Sequence, residues 1–202
     1  MAIVNAKYEF IMCDFGTNGR ISDGGVLEKT LFYEQLCNNT LKIPPDTCPP
    51  NSPTQLPYVF VGDEAFTLRK HFMKPFSQRD LTHEHRIFNY RLSRARRVVE
   101  NVFGILAARF RIFTAPINLA MENIDHVVMA CCVLHNYLRR SRGAAYIPSD
   151  DHGIADTVEN GAFIRLERGH NRQSSDVAKE VRELFVRYLN GEGAVEWQED
   201  RI

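Results

Sequence analysis

The pattern that most constrains this chain runs from Glu84 to Arg109. Leu92, Ala95, Val99, Val102, Phe103, Leu106 and Phe110 recur at spacings of three and four. That is the apolar face of one long amphipathic helix. The remaining positions are unusual. From Arg86 to Arg111 there are seven arginines, no lysine and one acid, Glu100. At about 100° per residue Glu100 falls on the border of the apolar face, followed on its own side by the small residues Gly104 and Ala107. An ion pair with Arg96 or Arg97, at i−4 and i−3, is the ordinary reading and contributes about 0.2–0.5 kcal/mol. A carboxylate with space in front of it and guanidinium groups around it also suits a metal ion and a phosphate backbone.

With 202 residues, 44% of them apolar and 25% charged, the chain has the length and make-up of one globular domain, or one domain and a tail. Its net charge of zero hides an uneven distribution. Residues 1–63 carry −3, residues 64–140 carry +7 and residues 141–202 carry −4. A basic, arginine-rich middle is the footprint of phosphate contact, although a solvated helix face with acidic partners elsewhere would give the same count. Five cysteines without a C-x-x-C pair form neither a disulfide framework nor a zinc ribbon. A reducing compartment is expected. No leader-like segment and no membrane span is read, so the expectation is a soluble, intracellular chain that is not secreted.

Ala2–Val4 and Tyr8–Cys13 read as strands, the second with the continuous apolar run Phe10-Ile11-Met12. Ser22 or Asp23 is expected to cap a helix carrying Val26, Leu27, Leu31, Phe32 and Leu36. Six of the nine prolines fall in residues 44–57, an irregular loop. The strand Tyr58-Val59-Phe60-Val61 closes at Gly62-Asp63, and a short basic helix, Phe66 to Phe72, is expected next. Thr82 can cap the long helix. A second strong helix spans Asn123 to Arg140, with Ile124, Val127, Val128, Cys131, Leu134, Tyr137 and Leu138 on one broad face. Residues 141–174 turn polar and read as a linker, with Phe163-Ile164 as an apolar spot. Ser175 or Ser174 caps a last helix, Val177 to Leu189, ended by Asn190-Gly191. The order predicts an α/β fold with the helices late.

Asp63 follows a strand and a glycine, a position that commonly faces the functional crevice of an α/β sheet. It is equally a turn aspartate or a helix cap. Metal-assisted phosphodiester hydrolysis needs carboxylates from separate elements converging on hard cations. Asp63 and Glu100 could supply two, and at least one more is normally required. Asp14, at a strand end, is a further candidate, and Asp23 fits a helix cap better. Cys131 and His135 share a helical face, and with His83 and His85 they allow a zinc site. A packed cysteine and a hydrogen-bonded histidine are the simpler account.

The run PYVFVGDEAFTLRKHFMKPF, then FNYRLSRARRVVENVFGILAARFRIF, then the ACCVLHNYLR helix, resembles the Harbinger-type transposase nuclease domain of the DDE endonuclease superfamily. VNAKYEFIMCDFGTNGRISDGGVL and YLNGEGAVEWQ extend the resemblance over about residues 3–198. It implies an RNase H-like fold in which two aspartates and a glutamate bind divalent cations, Mg²⁺ or Mn²⁺, that activate water for DNA strand cleavage. The second aspartate carries over to Asp63 in its Gly-Asp step. The glutamate carries over to Glu100 in the R-x-x-x-E-x-x-F-G segment from Arg96 to Gly104. The first aspartate lies in the family on a strand upstream of the VNAKYEF segment and has no counterpart here. A family aspartate also commonly stands at Asn5.

The expectation is therefore an RNase H-like domain lacking its first strand, its helices packed on a small mixed sheet, with a C-terminal helix added. Residues 1–140 would be a partial endonuclease domain, 141–174 a polar linker and 175–202 the C-terminal helix and tail. Asp63 and Glu100 would be catalytic and metal-binding, with Asp14 as an additional ligand. Arg94, Arg96, Arg97 and Lys70 would contact nucleic acid. DNA and a separate DNA-binding protein are the expected partners, and the nucleus the expected location. The site would be catalytically incomplete. The competing reading is a non-enzymatic module that binds DNA or protein through the arginine-rich helix.

Overall fold

The computed structural model describes residues 1–16, 23–147 and 174–202. The chain divides into two compact units: Met1–Gly19 with Arg97–Leu166, and Arg20–Arg96 with Glu167–Ile202. The long helix α3, His83–Arg109, contributes its first part to the second unit and its remainder to the first. Thr82 caps it, its hydroxyl accepting the His85 amide at 3.3 Å.

In the first unit, β1 (Ala2–Val4) and β2 (Phe10–Cys13) pair antiparallel. Asn5 builds the connection: its side-chain oxygen accepts the amides of Lys7 and Glu9 at 2.9 and 3.1 Å. Val4 aligns with Phe10 and Ile3 with Met12, so Ile11 is the extra residue of a bulge. Ile11 is accordingly exposed, whereas the apolar run alone reads as buried throughout. Phe10 points inward and joins Val102 and Leu106 of α3 and Cys131 and Cys132 of α4 (Met121–Arg142). The Asn136 side chain on α4 exchanges two 2.8 Å hydrogen bonds with the amide and carbonyl of Phe10. It serves β2 as a neighbouring strand would.

The second unit begins with two helices where sequence periodicity predicts one. α1 (Asp23–Glu28) ends and α2 (Leu31–Cys37) starts at Thr30. The buried Thr30 hydroxyl donates to the Leu27 carbonyl at 2.6 Å and accepts the Tyr33 amide at 3.1 Å. One side chain thus closes one helix and caps the next. Thr30→Ala is expected to lower stability by about 1–2 kcal/mol. Denaturant unfolding would show this, and a change below about 0.3 kcal/mol would remove Thr30 as the joint.

β3 (Phe60–Val61) pairs parallel with β4 (Phe72–Met73). The expected Phe66–Phe72 helix does not form. Arg69 and Phe72 exchange backbone hydrogen bonds of 2.9 and 3.1 Å across a tight turn with Lys70-His71 at its tip. That turn returns the chain so that the Phe60 amide reaches the His71 carbonyl and the Gly62 amide the Met73 carbonyl. Among the described residues the strands form two separate two-stranded sheets instead of one small mixed sheet.

α5 (Asp176–Asn190) has Ser175 as N-cap and Gly191 as C-cap. It packs Ala178, Val181 and Val186 against Leu68, Met73, Phe88 and Leu92. Burial of each large apolar side chain in this cluster contributes about 1.5–3 kcal/mol relative to exposure. The architecture is mixed α/β. The 148–173 stretch of the expected linker, including Phe163-Ile164, lies outside the described residues, as does Ser22; Ser141–Arg142 continue α4.

Candidate functional site

Asp63 directly follows Gly62 at the end of β3 and is half-buried. Its Oδ1 accepts the Ala65 amide at 2.9 Å, so the carboxylate organises the turn that leaves the strand. Gly62 has no room for a side chain: a Cβ there would stand 2.5 Å from Phe72 Cε1 and 2.6 Å from Phe66 Cδ2. Those two rings pack with centroids 5.3 Å apart and hold the start of the turn. Lys74 completes the electrostatics. Its ammonium donates to the Glu64 carbonyl at 3.0 Å. Burial pushes its pKa down, the Glu64 carboxylate opposes that, Arg182 reinforces it and Asp63 opposes it. Sequence reading missed this cation, because one lysine beyond a turn carries no pattern.

Glu100 lies on the part of α3 that belongs to the first unit, half-buried as its helical position predicts. Gly104, one turn on, is buried, and neither Arg96 nor Glu100 lacks a partner. Asp14 is also in the first unit, its amide donating to the Met1 carbonyl at 2.8 Å just beyond β2. Asp63 belongs to the second unit. Asp23 is the first residue of α1. Among the described residues no group of three or more histidine, cysteine, aspartate or glutamate side chains could hold a metal ion. Carboxylate oxygens are the correct donors for a hard cation.

The arginines divide into two kinds. Arg91 is structural, donating to the Gly193 carbonyl at 3.2 Å and to Gln198 Oε1 at 2.9 Å. Arg109 likewise donates to the Tyr146 carbonyl at 2.8 Å. Arg94 and Arg97 are exposed and Arg96 is half-buried. Arg94 stacks over Trp197 at 4.4 Å, within a 3₁₀ turn from Glu196 to Arg201. Lys70 is exposed at its turn tip. It borders a cleft of about 250 Å³ with Asp46, His71 and the apolar Leu36 and Ile43. Ala95, expected on the apolar face of α3, is exposed, while Ile87 and Phe88 are buried in the second unit and Ile105 in the first.

Cys131 and His135 are core residues. Cys131 packs with Phe10 and Val102. His135 is fully buried, 2.7 Å from the Tyr8 carbonyl through Nε2 and 3.1 Å from the Tyr146 hydroxyl through Nδ1. His83 contacts Glu199 at 3.1 Å, and His85 stacks on Phe76 at 3.8 Å.

The family model described as DDE superfamily endonuclease matches residues 1–136. The chain belongs to that superfamily. An ALP1-like protein of Arabidopsis thaliana is 25% identical over 138 residues, covering 68% of this chain and 34% of that protein. The putative nucleases HARBI1 of Bos taurus and Homo sapiens are each 34% identical over 79 residues, covering 38% of this chain and 22% of theirs. The chain thus spans about a third or less of these relatives. No solved structure matches it significantly. These relatives support a Harbinger-derived endonuclease domain, as the sequence motifs imply. No described helix of this superfamily member is long and apolar enough to cross a membrane.

Proposed function

We propose that this chain is a transposase-derived nuclease domain acting on DNA phosphodiesters, with Asp63 and Glu100 as ligands of Mg²⁺ or Mn²⁺. The observation that carries the reading is the family match over residues 1–136, which contains both acids in their motifs. Endonucleases of this superfamily generally use divalent metals. A bound ion would activate water and stabilise the leaving oxygen. Two carboxylates alone leave such a site incomplete. Arg96, Arg97, Arg94 and Lys70 would neutralise the phosphate backbone. A DNA substrate makes the nucleus the expected location and a DNA-binding protein a plausible recruiter.

The exposure of Arg94 and Arg97 on one helix favours a second reading, a module that binds DNA or protein without cleaving it. Nicking of duplex DNA by the purified chain in Mg²⁺ and Mn²⁺, with Asp63→Asn and Glu100→Gln, separates the two. Loss of cleavage in both variants supports the nuclease; cleavage that persists in both sinks it. No cleavage, with DNA affinity that falls steeply with salt and survives Glu100→Gln, supports the second reading. In either case Arg97→Ala is expected to reduce the slope of log affinity against log salt by about 1. Absence of DNA affinity at low salt would reject phosphate contact altogether.

A further inference from the structure

α4 carries an apolar stripe that stays exposed. Met129, Val133, Leu134 and Tyr137 are 42%, 58%, 48% and 66% exposed. Sequence periodicity assigns Leu134 and Tyr137 to the buried face, but Cys131 and His135 occupy that face; at about 100° per residue Tyr137 is turned at least 120° away from both, and Leu134 stands at the border. At about 100° per residue, Glu122, Met129, Val133, Tyr137 and Arg140 fall within one strip roughly 80° wide. Glu122 and Arg140 are both exposed, and each lies nine positions from Cys131. Met129 and Val133 each lie two positions from it. Glu122 with Arg140, and Met129 with Val133, are thus placed symmetrically about one level of the helix.

We propose that this stripe is the interface of a homodimer in which α4 packs antiparallel against α4 of a second copy. A twofold axis at the level of Cys131 brings Glu122 against Arg140 of the second copy, twice, about 13 Å from the axis on either side. Met129 then meets Val133 of the second copy. Parallel packing would set Glu122 on Glu122 and Arg140 on Arg140, so like charge excludes it. Arg140 Nε also donates to Glu9 Oε1 of its own chain at 2.8 Å, while the side chain stays 69% exposed. One helix face is small beside a standard interface of about 800 Å² per partner. The dimer is therefore weak and concentration-dependent. It is independent of the nuclease reading.

Sedimentation velocity of the full chain from micromolar to near-millimolar concentration is expected to show monomer and dimer. Val133→Glu and Glu122→Arg should each weaken the dimer at least tenfold with an unchanged circular-dichroism spectrum, since both sites are exposed. Orientation is read by cross-linking in a Cys37→Ser/Cys48→Ser background, which removes the exposed thiols. Val133→Cys near the axis should form an intermolecular disulfide with oxidised glutathione. Tyr137→Cys should not, because the two copies of that position lie about 18 Å apart along the helices. A monomer at every concentration overturns the proposal and leaves the stripe to another occupant. So does equal cross-linking at both positions, or a dimer indifferent to Val133→Glu.

Discussion

His135→Ala is expected to lower the stability of the first unit by about 3–5 kcal/mol. The deletion leaves a cavity at a fully buried position. It also strips a hydrogen-bond partner from the Tyr8 carbonyl and the Tyr146 hydroxyl, each costly to orphan. The carbonyl can only accept, so Nε2 carries the proton and Nδ1 accepts from the hydroxyl. Both nitrogens are satisfied in the neutral ring. Burial pushes the pKa down, the Tyr8 carbonyl opposes that, Arg139 adds to it and Glu9 opposes it. The unfolded chain takes up a proton near pH 6.5 while the folded chain still refuses it. Stability is therefore full above about pH 6.5 and falls as pH drops below that value toward the depressed native pKa. Urea titrations at pH 7.5 and 5.5 test both claims. A cost under about 1 kcal/mol, or a pH dependence identical in wild type and His135→Asn, would count against this account.

Gly62→Ala comes second, at about 1–3 kcal/mol. The new methyl must displace the Phe72 ring, which is buried, or the Phe66 ring packed beside it. Either shift disturbs the parallel pairing through the Gly62 amide and the turn held by Asp63. Gly62→Ala should therefore change the environment of Asp63 as well as stability, which Asp63→Asn alone should not do to the same extent. Thermal melts would give the first effect and amide exchange at Ala65 the second. A neutral Gly62→Ala would mean the rings yield freely.

The long helices were legible because their signals are redundant. α3 and α5 each combine sustained periodicity with a hydroxyl cap, at Thr82 and Ser175. The short elements were not. Nothing in a local pattern says that Thr30 will satisfy Leu27 and cap α2 at once, or that Arg69 and Phe72 will prefer each other to a helix. Ile11, Leu134 and Tyr137 share one lesson. Apolar periodicity locates an element, but which apolar residues are covered depends on the bulge or the helix rotation. At the site, residue types and their elements were readable at Asp63 and Glu100. Lys74 beside Asp63 was not, because one lysine beyond a turn carries no pattern; nor was the anchoring of Arg91, whose partners lie 102 and 107 positions away.

Trp197 has a practical consequence. It is the sole tryptophan of the chain, and Arg94 and Arg91 lie over its ring at 4.4 and 5.3 Å. Tyr90 meets it edge-on at 6.1 Å. Selective excitation of the indole therefore gives an optical signal from a single place, the exposed side of the arginine helix. A polyanion that draws Arg94 away from the ring would change the emission without any label. The chain carries its own indicator dye for the surface where phosphate contact is proposed.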